Sequence, residues 1–462
     1  MSDTVGGTSV GSGRRPSKKL LTLTDLVFFG IVLIQPIAPV PLYGVAQKLS
    51  NGYLTTIILF AMFAMMITAV SYGRMAALFP SAGSAYTYVG KGINPHLGFL
   101  AGWAMFLDYL LLPLINCVWI AAAMHNVYTP KVPFAVWAAI VAAVITLLNL
   151  QGVRSSARQN QVLLFGMFIV IGFFIVLAVR YLFHAQGWGG IFSTQPFYDP
   201  ATFNMRQVLG ATSFAALTYI GFDGVTTLTE DAENPKRNIL LATVIVCVFT
   251  GLFGGFEVYL AQRVWPDWHA FKSMETAFLD VCGRVGGPAL FNAMGVVVIV
   301  AAFGSGLGGG LGAAKLLFGM GRDNVLPRKF FGYLKPGTST PMFNILLIGV
   351  LSFGGAVLLN YNGSAYQQAG ELLNFGAFLS FMGVNAAAFY QFGILQRGGP
   401  RRILIDMVLP LIGFVFCAVI WWNLNPLAKT LGGIWFVIGA VYLASKTRFF
   451  RTAPAMIDFS EG

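Results

Sequence analysis

Stretches of about 20 apolar residues recur along almost the whole chain, and this recurrence constrains the fold more than any other feature. A helix of that length crosses a hydrocarbon core of roughly 30 Å and satisfies its own backbone hydrogen bonds inside lipid. The composition agrees, with 56% hydrophobic residues, 10% charged residues and a mean hydropathy of +0.73. We therefore predict an all-α membrane protein with about 12 transmembrane helices. The predicted spans are Asp25–Gln47, Leu54–Gly73, Leu97–His125, Phe134–Leu150, Gln161–Phe183, Arg206–Leu228, Ile239–Gln262, Ala289–Gly319, Phe343–Leu359, Leu372–Leu395, Ile403–Trp422 and Leu427–Ala444.

The basic residues divide unequally between the two sides of these spans. With the N-terminus inside, 21 of the 29 Lys and Arg fall in inner segments, as the positive-inside rule requires. Both termini of this multi-pass protein are therefore predicted to lie in the cytoplasm, with the spans in the cytoplasmic (inner) membrane. This distribution explains the net charge of +12 without a nucleic-acid partner. Residues 1–23 are predicted to be a disordered cytoplasmic tail, and residues 446–462 a second cytoplasmic tail.

The first span contains its own interruption. Three prolines, Pro36, Pro39 and Pro41, remove backbone donors and clash with preceding carbonyl groups, so no continuous helix is expected there. In the sixth span two glycines bracket Asp223 at mid-depth, which predicts a second unwound point. Irregular backbone at this depth is tolerated only where it lines a cavity or is buried in protein. The alternative interpretation is that these prolines and glycines are packing kinks.

The two interruptions lie five spans apart, and an odd offset means that the two halves cross the membrane in opposite directions. Inverted repeats of this kind form a transport site where paired broken helices meet near the midplane. The expected organisation is a 5+5 inverted repeat of the LeuT-like type plus two extra C-terminal helices. The first repeat covers residues 24–184, the second residues 185–396, and the last two helices residues 397–445. The polar stretches Phe79–Pro95 and Val264–Pro288 are expected as loops on opposite sides.

Several motifs in register resemble the amino acid–polyamine–organocation (APC) superfamily of transporters, and within it the bacterial putrescine importers. The resemblance covers nearly the whole chain from about residue 24. Its main motifs are Phe79-Pro-Ser-Ala-Gly-Ser-Ala-Tyr-Thr-Tyr88, Ile93-Asn-Pro-His-Leu-Gly-Phe-Leu-Ala-Gly-Trp103, Leu107-Asp-Tyr-Leu-Leu-Leu-Pro-Leu-Ile-Asn116, Gly221-Phe-Asp-Gly-Val-Thr-Thr-Leu-Thr-Glu230, Met320-Gly-Arg-Asp-Asn324 and Asn374-Phe-Gly-Ala377. It implies alternating-access transport of amino acids or amines.

The first span departs from the superfamily pattern. Members usually carry a G-x-G turn whose N–H groups hold a substrate carboxylate, whereas the matching positions here are Pro36, Ile37 and Ala38. Pro36 and Pro39 have no N–H, which favours a substrate without a carboxylate, such as an amine. Putrescine importers carry an acidic residue at the position of Pro41. Its absence here argues against a simple diamine with two ammonium groups.

Ionisable side chains within membrane spans are functional candidates because burying them unpaired costs several kcal/mol. Asp223 lies at the second interruption, where it is expected to accept a substrate ammonium group or a proton, or to cap the helix that follows. Asp108 on the third span is either a coupling residue or a structural partner of hydroxyl groups or of loop backbone. Glu257, on the seventh span, either takes part in coupling or reaches the outer interface, six residues from Arg263.

Aromatic rings recognise ammonium groups, and Tyr219 and Phe222 flank Gly221. The residues predicted to bind substrate are Gln35, Pro36, Ile37, Ala38, Tyr43, Tyr109, Tyr219, Gly221, Phe222 and Asp223. Those predicted to serve ion coupling or gating are Asp108, Asp223, Glu257 and Ser305. Ser305 is the single hydroxyl in the run Ala301–Gly310, where a sodium site would want more, so a proton is favoured over sodium as the coupling ion.

The predicted function is a secondary active transporter that imports a small amine-bearing solute, such as a polyamine of the putrescine class. The alternatives are a permease for zwitterionic amino acids and an amine/amino acid exchanger. No metal or other cofactor is expected, since the four cysteines lack ligand spacing. None of the four histidines has a plausible catalytic partner in the sequence, so an enzyme is not indicated. A channel would conduct ions instead of showing saturable, gradient-driven exchange of a solute. The sequence does not predict an oligomeric state.

Overall fold

The structure, a computed structural model, describes residues 20–80, 83–151, 157–322, 326–334, 340–397 and 399–454. Most of these residues are helical, and the predicted N-terminal tail lies almost entirely outside them. The helices are α1 (Leu23–Ile34), α2 (Pro39–Ser50), α3 (Leu54–Leu78), α4 (Ser84–Gly92), α5 (Pro95–Ala123), α6 (Phe134–Leu150), α7 (Ala157–Gln186), α8 (Trp188–Ile191), α9 (Met205–Ala215), α10 (Pro235–Val264), α11 (Ala277–Arg322), α12 (Arg328–Phe331), α13 (Met342–Leu359), α14 (Ala365–Ala388), α15 (Leu409–Trp422) and α16 (Pro426–Lys446).

Short helical turns of other types extend several of these elements. π-Helical turns follow α5 (Met124–Tyr128) and α14 (Phe389–Ile394) and precede α15 (Leu404–Val408). 3-10 helices follow α9, at Ala216–Tyr219 and Phe222–Asp231, and two more lie at Trp268–Ala270 and Asn360–Asn362.

The predicted membrane spans are confirmed as helices. Within the described ranges, ten helices are long and apolar enough to cross a membrane, counting the turns that extend them. The pair α1–α2 passes the same test as one span bent by 58°, and α6 is apolar but shorter, at 17 residues. Each of the 12 predicted spans therefore corresponds to a helix or to this bent pair, and the chain is a multi-pass α-helical membrane protein.

The same succession of elements follows each of the two broken spans. After α1–α2 come the long α3, the short α4 and the long α5. After the interrupted span that begins with α9 come the long α10 and then α11, which is divided at Gly287 (φ 64°) and Pro288 into a short first part and a long second part. This order is what a 5+5 repeat requires, and the division of the chain at residues 184 and 396 stays a prediction.

Two loop predictions need correction. The polar stretches Phe79–Pro95 and Val264–Pro288 are not simple loops, because the first contains α4 and the second contains the first part of α11. Both helices are short and are surrounded by polar residues. The sequence therefore shows no clear repeat of apolar residues at helical spacing there.

Glycines let the central helices approach closely. A Cβ atom at Gly73 of α3 would lie 2.5 Å from the Cα of Leu240 in α10, and one at Gly376 of α14 would lie 2.2 Å from the carbonyl oxygen of Ala104 in α5. Small residues at such contacts are typical of membrane bundles, where packing rather than hydrophobicity holds helices together. The bundle formed by α1, α2, α3, α9 and α10 therefore packs against a second group that includes α5, α6, α11, α13 and α14.

Candidate functional site

The first interruption is a tight turn between α1 and α2. Helix α1 ends at Ile34, Gln35 adopts φ 71° and ψ 130°, and α2 begins at Pro39. The N–H of Ala38 donates to the carbonyl oxygen of Gln35 at 3.1 Å, and that of Val40 to Ile37 at 2.9 Å. Because Pro36 and Pro39 have no N–H and these two donors are bonded within the turn, the turn keeps few donors for a substrate carboxylate.

The second interruption is longer than the sequence indicated. Helix α9 ends at Ala215 and tightens into a 3-10 turn, and Gly221 then takes φ 108°, a conformation that favours glycine. The chain continues as a 3-10 helix over Phe222–Asp231 rather than resuming an α-helix. A run of 3-10 helix this long is uncommon and often marks a hinge.

The two interruptions contact each other, as predicted for paired broken helices. A Cβ atom built on Gly221 would lie 3.7 Å from the backbone of Leu33, at the end of α1, and one on Gly224 would lie 2.6 Å from the Leu33 Cδ1 atom. A side chain at Gly224 would therefore displace Leu33. The kink interpretation does not account for two breaks that meet.

Asp223 is buried beside this contact, with 6% of its surface exposed. The hydroxyl of Ser84, at the start of α4, donates to Asp223 Oδ2 at 3.4 Å, and the backbone N–H groups of Asp223 and Gly224 face the carboxyl group. Asp223 also stands in the first turn of the 3-10 helix, where a negative charge is favoured by the helix dipole. The capping interpretation and a ligand role are therefore compatible.

A second carboxyl group and three phenol rings surround Asp223. Asp108 of α5 is close enough to interact with it electrostatically, and so are Tyr72, Tyr88 and Tyr109. Oδ1 of the buried Asp108 has no hydrogen-bond partner among the described residues. Two carboxyl groups lined by aromatic rings match the chemistry of an ammonium ligand.

The aromatic part of this site extends across four elements. The ring of Phe222 lies 5.5 Å from that of Tyr72 in α3 and 5.2 Å from that of Phe381 in α14, and the Tyr72 and Tyr88 rings are 5.9 Å apart. Sequence reasoning identified Phe222 and Tyr109 but missed Ser84, Tyr72 and Tyr88. Ser84 and Tyr88 belong to the motif that starts at Phe79, so the motif itself was the available signal.

Two of the predicted substrate ligands are engaged elsewhere. The buried Tyr219 donates its hydroxyl to the carbonyl oxygen of Ile58 in α3 at 2.8 Å. Tyr43 lies on α2, where Gln47 Nε2 donates to its hydroxyl at 3.3 Å and its ring packs edge-on against Phe271 and Phe278. Both tyrosines hold the broken spans in place in this conformation, and their role as substrate ligands stays a prediction.

Helix α11 lies behind the first interruption. Gln35 Nε2 donates to the carbonyl oxygen of Ala301 at 3.3 Å, and Ser305 Oγ accepts from Asn116 Nδ2 at 3.1 Å. Among the residues that the structure describes, no group of three or more His, Cys, Asp or Glu side chains is arranged to hold a metal ion.

Glu257 of α10 does not reach the interface, so that interpretation of its role is wrong. The side chain is fully buried, and neither carboxyl oxygen has a hydrogen-bond partner within the described ranges. Arg263, the expected partner, instead donates to the carbonyl oxygen of Gly190 at 3.0 Å and to Gln195 and Gln186. Those acceptors lie between the end of α7 and the start of α9, and no pattern in the sequence indicated that Arg263 would bond there.

A basin of about 500 Å³ opens at the end of the bundle where α2 ends, which we call the outer end because the charge pattern predicts that it faces outside. Its lining is polar and includes Lys48, His125, Asn126, Lys272, Glu275 and Gln367.

Comparison with known proteins places the chain in a family. Residues 40–424 match the family model of the amino acid permeases. The low-affinity putrescine importer PlaP of Escherichia coli (strain K12) is 32% identical over 438 residues, covering 94% of this chain and 95% of that protein. The branched-chain amino acid permease BcaP of Lactococcus lactis is 24% identical over 93% of this chain and 95% of its own length, and the methylthioribose transporter of Bacillus subtilis is 24% identical over 93% and 94%.

The match covers most of the chain, and the relatives are transporters rather than enzymes. The broken α1–α2 pair, the interrupted span at Gly221 and the long apolar helices agree with it. The chain belongs to the amino acid permease family of the APC superfamily.

Proposed function

We propose that the protein is a secondary active transporter that imports a small amine-bearing solute by alternating access, driven by protons. In this proposal it lies in the cytoplasmic (inner) membrane with both termini in the cytoplasm, and residues 24–184 and 185–396 form the two inverted repeats. The solute binds where the two interrupted spans meet, and the outer basin is its entry.

The observation that supports this proposal most directly is the setting of Asp223. A buried carboxyl group at a helix interruption, with Asp108 and several tyrosines around it, favours a cationic ligand. The first interruption offers few N–H donors for a carboxylate, which also favours an amine. The PlaP relative is named as a putrescine importer, but Pro41 stands where we expect putrescine importers to carry an acidic residue.

A second candidate function is a permease for zwitterionic amino acids, or an exchanger of amines for amino acids. The match to BcaP, whose name gives branched-chain amino acids, favours it, and so do Lys48 and Lys272 in the outer basin, which attract carboxylates. Competition distinguishes the two. A neutral amino acid that displaces a labelled amine, while its decarboxylated analogue does not, would favour the amino acid permease.

Coupling to protons rather than sodium is supported by the residues available for it. Ser305 is the one hydroxyl on its stretch of α11 and already accepts from Asn116. Asp108, Asp223 and Glu257 are buried carboxyl groups, each of which can take up a proton.

Counterflow in proteoliposomes tests the central assignment. In Asp223→Asn the isosteric amide removes the charge that holds the ammonium group, so we expect counterflow of a labelled amine to fall at least about tenfold, since a lost buried charge pair costs 2 kcal/mol or more. Asp267→Asn, at an exposed position between α10 and α11, is the control and should transport normally. If Asp223→Asn exchanges as fast as the wild type, Asp223 does not bind the ammonium group.

A further inference from the structure

Glu257 lies along the outer half of the first broken span. Three residues before it, a Cβ atom at Gly254 would lie 2.7 Å from the ring of Pro39, the first residue of α2. Five residues after it, Gln262 Nε2 donates to Gln47 Oε1 at 3.3 Å, near the end of α2. Helix α10 therefore contacts both ends of α2, and Glu257 stands between these two contacts.

The first part of α11 covers the same place. Tyr43 of α2 packs edge-on against Phe278, with ring centroids 5.3 Å apart, and a Cβ atom at Gly44 would lie 2.2 Å from the carbonyl oxygen of Met274. The thiol of Cys282 is an electrostatic neighbour of both Tyr43 and Glu257. Helix α2 and the first part of α11 thus form a cover over the Glu257 carboxyl group.

No cation in the described structure compensates this carboxyl group. On α10 itself, Arg263 is bonded to the loop before α9. On the first part of α11, Arg284 donates to Tyr181 of α7 at 3.0 Å, and Asp280 interacts with Lys272.

The remaining packed elements add no cation beside Glu257, because Lys48 of α2 lines the outer basin, and α1 and the 3-10 helix after Gly221 carry only acidic residues. Arg180 and His184 of α7 are exposed, and α3 carries no charged residue between Leu54 and Gly73. The ionisable group that does lie beside Glu257 is the Cys282 thiol, which carries no compensating positive charge.

A carboxylate in such surroundings would be strongly disfavoured, because neither a partner charge nor a hydrogen bond stabilises it. The protonated form of Glu257 is compatible with the covered state, whereas its carboxylate form requires contact with water. Val45 of α2 and Met274, just before α11, line the outer basin, so separation of α2 from the first part of α11 would open a path for water from that basin to Glu257.

We propose that Glu257 is the proton-binding group of the outer gate: uptake of a proton from outside by the Glu257 carboxylate allows α2 and the first part of α11 to close. The proton adds to one carboxylate oxygen and forms an O–H bond, and the group loses its charge before it is buried. The proposal rests on the proposed transport function and assigns the coupling proton to one residue.

Cys282 reports on this closure because it lies on the first part of α11, is fully buried, and is an electrostatic neighbour of Glu257. In proteoliposomes with the outer end exposed, a membrane-impermeant maleimide is added outside and the Cys282 peptide is quantified by mass spectrometry. External pH is varied. The labelling of free N-acetylcysteine in the same tube is used to correct for the pH dependence of the thiol–maleimide reaction itself. In the wild type we expect corrected labelling to rise with external pH, by up to about tenfold per unit, as Glu257 ionises and the gate opens.

Glu257→Gln should remain closed at every pH, because the amide cannot ionise. Its corrected labelling should be low and flat, and both proton-driven accumulation and counterflow should be lost, because a gate that stays closed admits no solute from outside. Glu371→Gln is the matched control, since Glu371 is equally buried but accepts hydrogen bonds from Gln367 and Asn425, and it should keep the pH dependence.

Wild-type labelling that does not respond to external pH overturns the assignment without any variant, so a Glu257→Gln protein that fails to fold leaves the proposal testable. A Glu257→Gln protein that follows the wild-type pH profile overturns it as well. Loss of counterflow in Asp223→Asn together with an unchanged pH profile in Glu257→Gln would sustain the transport function and reject the gate. Counterflow by Asp223→Asn at the wild-type rate would reject the substrate site instead.

Discussion

Two buried tyrosines near the interruptions use their hydroxyl groups differently. Tyr219 donates to the carbonyl oxygen of Ile58 and so ties the second interruption to α3. The hydroxyl of Tyr72 has no hydrogen-bond partner among the described residues, although its ring packs against Phe222. The Tyr219 hydroxyl therefore holds the backbone at the second interruption, whereas the Tyr72 hydroxyl does not.

This difference gives a prediction for conservative substitutions. Tyr219→Phe keeps the ring but removes the bond to Ile58, and we expect it to lower stability by about 1 kcal/mol. Tyr72→Phe, the control, removes no bond and should leave stability unchanged. Thermal unfolding in detergent measures both. Equal unfolding temperatures for the two variants would show that the Tyr219 bond does not stabilise the protein.

At the scale of the element, the span from α9 to Asp231 changes its helical type in the middle. Its α-helical part is ordinary, with Asn204 capping the N-terminus through bonds to Arg206 and Gln207. Beyond Ala215 the tighter 3-10 turns and the positive φ of Gly221 turn the chain towards Leu33. The interruption is thus set by backbone torsion more than by side-chain packing.

Substitutions at two glycines of this span distinguish the torsional cost of an added side chain from its packing cost. At Gly221 an added Cβ atom meets nothing closer than 3.7 Å, so the cost of Gly221→Ala is torsional and should be about 1–2 kcal/mol. At Gly210, inside α9, a Cβ atom meets nothing within 4 Å, and Gly210→Ala should raise stability by up to about 1 kcal/mol. Unfolding temperatures and counterflow rates check both substitutions. A Gly221→Ala protein as stable as Gly210→Ala would contradict the torsional argument.

At the scale of the whole molecule, an ion pair joins the C-terminal helices to the bundle. The guanidinium of Arg74, on α3, pairs with Asp406 and lies 3.9 Å from the centre of the Phe392 ring. Asp406 also accepts from the backbone N–H of Arg402 at 2.6 Å. The π-helical turns after α14 and before α15 meet at this pair.

We expect Arg74→Ala to lower stability by about 2 kcal/mol, as for other charge-assisted hydrogen bonds that are largely shielded from water. Asp406→Ala should cost a similar amount, and the double variant should cost clearly less than both together because the two side chains share one interaction. Thermal unfolding of the three variants completes the cycle. Strictly additive losses would show that the pair is not coupled.

Much of this architecture follows from the sequence because lipid leaves a chain few choices. Apolar length predicted every span, and the prolines and the glycines around Asp223 predicted both interruptions. The sequence could not show that α4 brings Ser84 and Tyr88 to Asp223, because that contact joins residues 139 positions apart. Nor could it show that Glu257 is buried without a partner, because Arg263, six residues away, bonds instead to Gly190, 73 positions earlier in the chain.

The bent first span also has a mechanical consequence. Helix α2 has 12 residues and is therefore about 18 Å long, so it acts as a lever with its fulcrum at Pro36–Ala38. A rotation of about 20° at that fulcrum would carry its far end through about 6 Å, which is wider than an alkyl chain. The contact between Gly44 and the carbonyl oxygen of Met274 is too close for α2 to slide along its neighbour, so α2 leaves this contact by swinging away from it. A small torsional change at Gln35 would therefore produce a much larger displacement of the far end of α2 and open a passage at the outer end.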